Sequence, residues 1–201
     1  MKKTIKPTIQ RRNSTLSRLS ADENNEIMKL IGHAAVFDKP TVLYKIDDIE
    51  YKEIIDRNAF NDTDISACCL KYNHSDHIPI LSRVRSGKLN IDTDNIGLRF
   101  EAELFNTVSS RDVYSLVQEG GLDSCSFAFT VKEDSYNRET HTRTILKIDK
   151  LFDISIVDFP AYQDTDVSVR SYFEAEAEKI KTLESELLKR KRAILKLKLG
   201  I

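Results

Sequence analysis

Between Ile27 and Ser168 the chain breaks into short runs in which apolar and polar residues alternate, separated by small polar turns. This period of two constrains the fold more than any other feature, because it puts one apolar face on each of many short strands. "SGKLNIDTDNIGLRFEAEL" holds two such runs around "DTDNIG" and reads as a hairpin. "EIMKLIGHAAVF" is a strand candidate interrupted by Gly32, and "SCSFAFTVKE", "RTILKID" and "KLFDISIVDFPAY" are three more, the last closed by Pro160. One helix interrupts them. "SSRDVYSLVQEGG" has a serine N-cap candidate, Val113, Leu116 and Val117 on one face, and glycine at its end. Many short strands with few helices predict an α+β fold, mainly antiparallel, closed or nearly closed on itself.

With 201 residues the chain has room for one domain and its ends. Residues 1–26 are polar, rich in Lys, Arg, Ser and Asn, and lack either hydrophobic period, which predicts a mobile leader. That start is basic but carries no apolar run, so it is not a secretory signal, and no window approaches the ~20 apolar residues of a membrane span. Cys68, Cys69 and Cys125 form no CxxC pair and fit a reducing cytoplasm better than a disulfide framework. A formal net charge of −1 names no partner.

From Tyr172 the period becomes helical. Phe173, Ile180, Leu183, Leu187, Ile194, Leu197 and Ile201 fall on one heptad seam, broken at Glu176 and Arg190. Acidic residues crowd the first half, and Lys189, Arg190, Lys191, Arg192, Lys196 and Lys198 fill the second, which suits the helix dipole. A projecting amphipathic or coiled-coil helix for self-association or partner docking is expected. A helix folded back on the domain is the plainer alternative, and a nucleic-acid contact through the basic end is a minor one.

The segment "GGLDSCSFAF" is where chemistry is sought. On a strand, Ser124, Ser126, Ala128 and Thr130 share one side, while Cys125, Phe127, Phe129 and Val131 share the core side. Cys125 therefore reads as a buried small hydrophobe, and Ser126 as the candidate nucleophile, with Ser124 its rival on the same face. A serine needs a base, and the base needs an orienting acceptor. Of four histidines, His33 lies in an apolar run and reads as structural, and His141 lies in a polar turn and reads as solvated. His74 and His77 in "LKYNHSDHIPI" remain. His74, Asp76 and His77 lack further ligands at a recognised metal spacing, so neither metal nor cofactor is expected. Asp153 lies on the face opposite Phe152, Ile154 and Ile156, either as the orienting acceptor or as a charge guarding a strand edge.

Six segments in order carry a resemblance: "IGHAAVFD", "IIDRNAF", "YNHSD", the hairpin "SGKLNIDTDNIGLRFEAEL", "LVQEGGLDSCSFAF" and "LFDISIVDFPAY". Together they resemble the prohead maturation proteases of tailed bacteriophages, a family similar in fold to the herpesvirus assemblin proteases. The resemblance implies a herpesvirus-protease-like β-barrel with flanking helices over residues 27–170, between the leader 1–26 and a helical tail 171–201. It also implies Ser126 as nucleophile, His74 as general base and acid, and Asp153 as the orienting acid. Implied substrates are the major capsid protein or its scaffold, and the enzyme's own ends, inside the assembling prohead in the host cytoplasm. A homo-oligomer, with a dimer foremost, is expected, and no membrane.

Three departures accompany the resemblance. Asn58 stands where the family usually has glycine, which predicts a left-handed asparagine. Ser82 stands where glycine is usual. Asp153 stands where glutamate is frequent, so its strand must lie closer to His74 or a water must bridge. Two rival readings remain: an internal scaffold or adaptor with feeble or absent catalysis, and a small-ester hydrolase, for which no G-x-S-x-G elbow exists.

Overall fold

The structure is a computed structural model that describes residues 8–14, 20–21, 27–46 and 48–158, with residues 173, 175–176, 178–179, 182–183, 185–192 and 194 of the C-terminal stretch. Among the described residues up to 158, eleven strands and one α-helix follow in chain order: β1 (Gln10–Ser14), β2 (Ser20–Ala21), β3 (Lys29–Val36), β4 (Thr41–Ile46), β5 (Ile49–Ile55), β6 (Cys69–Tyr72), β7 (Ser82–Arg83), β8 (Leu89–Thr93), β9 (Gly97–Glu103), α1 (Val108–Gln118), β10 (Ser124–Asn137) and β11 (Thr142–Val157). The fold is α+β with mixed, mainly antiparallel pairing.

Among the described residues the strands form two open sheets rather than the expected barrel. One runs β1-β10-β11-β5-β4, with β6 added to β11 and β7 to β6; the other runs β2-β3-β9-β8. Closing a barrel requires hydrogen bonds between the end strands. Here apolar packing joins the sheets instead: Leu30, Leu98 and Phe100 of the smaller sheet share one buried cluster with Phe127, Phe129, Leu151 and Ile154 of the larger. Contacts divide the chain into residues 1–164, which hold both sheets, and residues 165–201.

Two sequence expectations about elements are corrected. "RTILKID" and "KLFDISIV" are one strand, β11, because no turn residue separates them. The β10–β11 ladder absorbs the strain in register shifts, one between Ala128 and Phe129 and three more between Thr130 and Asp134. The cap of α1 is Thr107, not a serine: its hydroxyl accepts the Ser110 N–H at 3.1 Å. Gly120 ends this helix in the left-handed region, with φ 73°.

Part of the expected leader is also sheet. Gln10–Ser14 pairs antiparallel with β10 as β1. A strand this polar escapes a hydrophobic-period reading because its anchor is an ion pair: Arg12 is buried and binds the buried Glu53 carboxylate through two nitrogens, one at 2.9 Å. Arg143 joins the same carboxylate at 3.2 Å, and Gln10 Oε1 accepts from both arginines at 2.8 and 2.9 Å. The rest of that leader, residues 1–7, 15–19 and 22–26, lies outside the described residues, as does Pro160.

Described residues of 173–194 are helical, with Leu183, Leu187, Leu188 and Ile194 exposed. Of the heptad seam, Ile180, Leu197 and Ile201 lie outside the described residues, as do Lys196 and Lys198. Among the described residues no helix is long and apolar enough to cross a membrane.

Candidate active site

Three elements of the larger sheet converge on one point. β10 and β11 are antiparallel neighbours in a register that sets Ser126 opposite Ser155 and Ala128 opposite Asp153. Directly opposed residues point to the same face, so all four side chains lie together, and the small Ala128 and Ser155 leave room above them. β6 runs parallel along the other side of β11, Asp153 beside Cys69 and Ile156 beside Tyr72.

Immediately after Tyr72 the chain reverses. Asn73 and His74 both adopt left-handed angles, φ 51° and 52°, which returns the chain over β11. For a non-glycine residue this costs roughly 1–2 kcal/mol, least for Asn, and it persists only where the surroundings hold it. They do. Asn73 N–H donates to Ile156 O at 2.9 Å, the Asp158 N–H donates to the Asn73 carboxamide oxygen at 3.2 Å, and His74 N–H donates to Ser155 Oγ at 3.2 Å. On its outer side the loop is tied by Lys71 Nζ to Asp76 at 2.5 Å.

The imidazole of His74 consequently bridges two strands. Nδ1 lies 2.6 Å from Asp153 Oδ1 and Nε2 lies 2.7 Å from Ser126 Oγ. Aspartate reaches His74 directly although one methylene shorter than glutamate, because β11 lies directly beneath the turned-back loop. With Nδ1–H donating to the carboxylate, Nε2 keeps its lone pair for the serine proton. Ser126 has no exposed surface and Asp153 is buried.

Ser155 is the residue that sequence reasoning did not single out. Its hydroxyl donates to Asp153 Oδ1 at 2.8 Å and lies 3.1 Å from His74 Nδ1, while accepting the His74 backbone N–H. One side chain thus holds both the carboxylate and the imidazole. The signal was present: Ser155 lies two positions after Asp153, on the same strand face.

The competing candidates are elsewhere. Ser124 donates to its neighbour Asp123 at 2.8 Å. Cys125 lies in the apolar cluster. Burial pushes the Cys68 thiol far above its ordinary value and the Cys69 thiol up as well, the latter with help from the Asp153 charge, so neither is a thiolate at neutral pH. His77 is exposed. His33 pairs with Asp94 at 2.8 Å. His141 is half-buried rather than solvated, 3.3 Å from the Tyr136 hydroxyl and tilted on Tyr51 with ring centroids 5.1 Å apart.

Both glycine substitutions have a local account. Asn58 does not take a left-handed angle; its N–H and its carboxamide bind Asp56 Oδ1 at 2.8 and 3.2 Å, an Asx turn that needs no positive φ. Ser82 is buried and donates to Glu103 O at 2.9 Å, which satisfies its hydroxyl.

Compared with known proteins, residues 14–181 match the family model described as caudovirus prohead serine protease. No curated protein and no solved structure matches the chain.

Proposed function

This chain belongs to the family of caudovirus prohead serine proteases, and from that premise we propose that it is an endopeptidase of prohead maturation with Ser126, His74 and Asp153 as its catalytic residues. It acts inside the assembling prohead, in the host cytoplasm, on the scaffold or scaffolding segment of the major capsid protein and on its own ends. The observation that carries this reading is the unbroken hydrogen-bond chain from Asp153 through His74 to Ser126, at 2.6 and 2.7 Å.

In the proposed reaction His74 Nε2 takes the Ser126 proton as Oγ attacks the scissile carbonyl. The same nitrogen then returns the proton to the leaving amine. An acyl-enzyme remains on Ser126, and water, deprotonated by His74, releases it. Asp153 keeps the proton on Nδ1 and stabilises the imidazolium. Ser155, touching neither substrate nor reacting atoms, positions both. The same reading takes the fold as assemblin-like and the tail as a self-associating helix that makes the enzyme a dimer.

Co-expression with the cognate capsid protein tests it: wild type is expected to process the capsid protein and Ser126→Ala to leave it whole. Persistent processing in the mutant would assign another nucleophile. The second reading, an internal assembly protein on the same fold, draws on the absence of exposed surface at Ser126, and it predicts unprocessed capsid protein with both.

A further inference from the structure

β1 is an edge strand, and the strand it covers carries the nucleophile. Its register sets Asn13 opposite Ser126, Arg12 opposite Phe127 and Gln10 opposite Phe129. The chain therefore enters from the Phe129 end and runs in extended form to the reacting serine, as a polypeptide delivered for cleavage would. Without β1, the edge of β10 would present unpaired N–H and C=O groups, the kind of template on which an extended peptide adds as a strand.

Three further observations bear on what β1 is. The family match begins at residue 14, so of this strand it takes in only Ser14. Ser126 has no exposed surface while β1 is in place, so no substrate carbonyl reaches its hydroxyl unless something moves. Finally, β1 is held by side chains as well as by backbone. Arg12 enters a buried site made by Glu53 and Gln10, with its guanidinium 5.6 Å over the Phe129 ring. On the other face, Asp76 of the His74 loop has its carboxyl held below the usual range, chiefly by Lys71 and to a smaller degree by the charge of Arg11.

We propose that β1 occupies in cis the edge of β10 on which an extended substrate segment pairs, with Glu53 selecting an arginine at the position of Arg12, so that the intact chain holds its own substrate edge filled. This rests on the proteolytic reading above. A substrate gains the edge only in the fraction of molecules whose β1 has left, and its apparent affinity is reduced by that fraction. Cutting or displacing the N-terminal segment removes the competitor and switches the enzyme on.

The test is the rate at which a fluorophosphonate modifies Ser126, followed by intact mass. Arg12→Ala removes the side-chain anchor, and Ser14→Pro removes a backbone donor opposite Cys125 while sparing the Glu53 network. Both are expected to react about tenfold or more faster than wild type while still melting cooperatively, an acceleration that loss of a merely structural strand does not produce. A peptide of residues 8–16, TIQRRNSTL, should slow the reaction of either variant, and the same peptide with alanine for Arg12 should need roughly tenfold more to do so, the loss of one charged anchor. Variants that melt cooperatively yet react no faster than wild type would overturn the inference and leave the protease reading standing. If wild type and folded variants alike fail to react, the protease reading itself falls.

Discussion

The left-handed pair Asn73 and His74 decides where the imidazole points, and Ser155 decides whether it stays there. Removing the Ser155 hydroxyl leaves the His74–Asp153 contact but frees both partners to rotate. Ser155→Ala is expected to lower kcat by about tenfold with KM little changed, restored by Thr, as in the loss of an outer hydrogen bond that orients a reacting group. Asp153→Asn removes the acceptor that fixes the tautomer and is expected to cost far more, on the order of 10³- to 10⁴-fold in kcat. Steady-state kinetics on a capsid-derived peptide separates the two. At this scale much of the candidate site was legible, because strand alternation alone places Ser126 and Asp153 on polar faces. What escaped was contact between faces: Ser155 makes sense only once β10 and β11 are in register, and Asn58 takes an Asx turn because Asp56 lies two residues before it.

Among the elements, the turn between β8 and β9 carries the clearest pH dependence. Asp94 is partly desolvated, which opposes ionisation, but His33, and the N–H groups of Gly97 and Ile96, outweigh this and hold its carboxyl at about 2. Because that lies below the unfolded value, the stabilisation is complete above about pH 4 and is lost as pH falls toward 2. The wild-type advantage in Tm over Asp94→Asn should therefore shrink between pH 5 and pH 2. In the same hairpin, Gly97 lies against the irregular stretch of β3, where an added Cβ would meet Ala35 O at 1.8 Å. Gly97→Ala is expected to destabilise by about 3 kcal/mol or more in chemical unfolding, a clash with backbone that no rotamer relieves. The hairpin and α1 were readable because their periods and turn residues are local. The single β11 was not: register shifts let one strand pass through what reads as two. Nor was β1, whose hold on the sheet depends on Glu53, distant in the chain.

For the whole molecule, the two sheets and the C-terminal helix divide the proposed work into cutting and association. Leu183, Leu187 and Ile194 are exposed on residues 165–201, where a heptad seam was read. If they seat a second copy, Leu187→Lys should weaken self-association at least about tenfold in sedimentation equilibrium while leaving the thermal melt of the sheets unchanged. Among the described residues the strands leave two open sheets where a closed barrel was expected, since the number of strands does not say which edges meet. The most direct measurement concerns the convergence of residues 74, 126 and 153. After incubation with a fluorophosphonate, peptide mapping by mass spectrometry should find a single adduct on Ser126 in the wild type and none in His74→Ala. An adduct on Ser124 instead, or one on Ser126 that forms equally fast without the imidazole, would contradict the assignment of the catalytic residues.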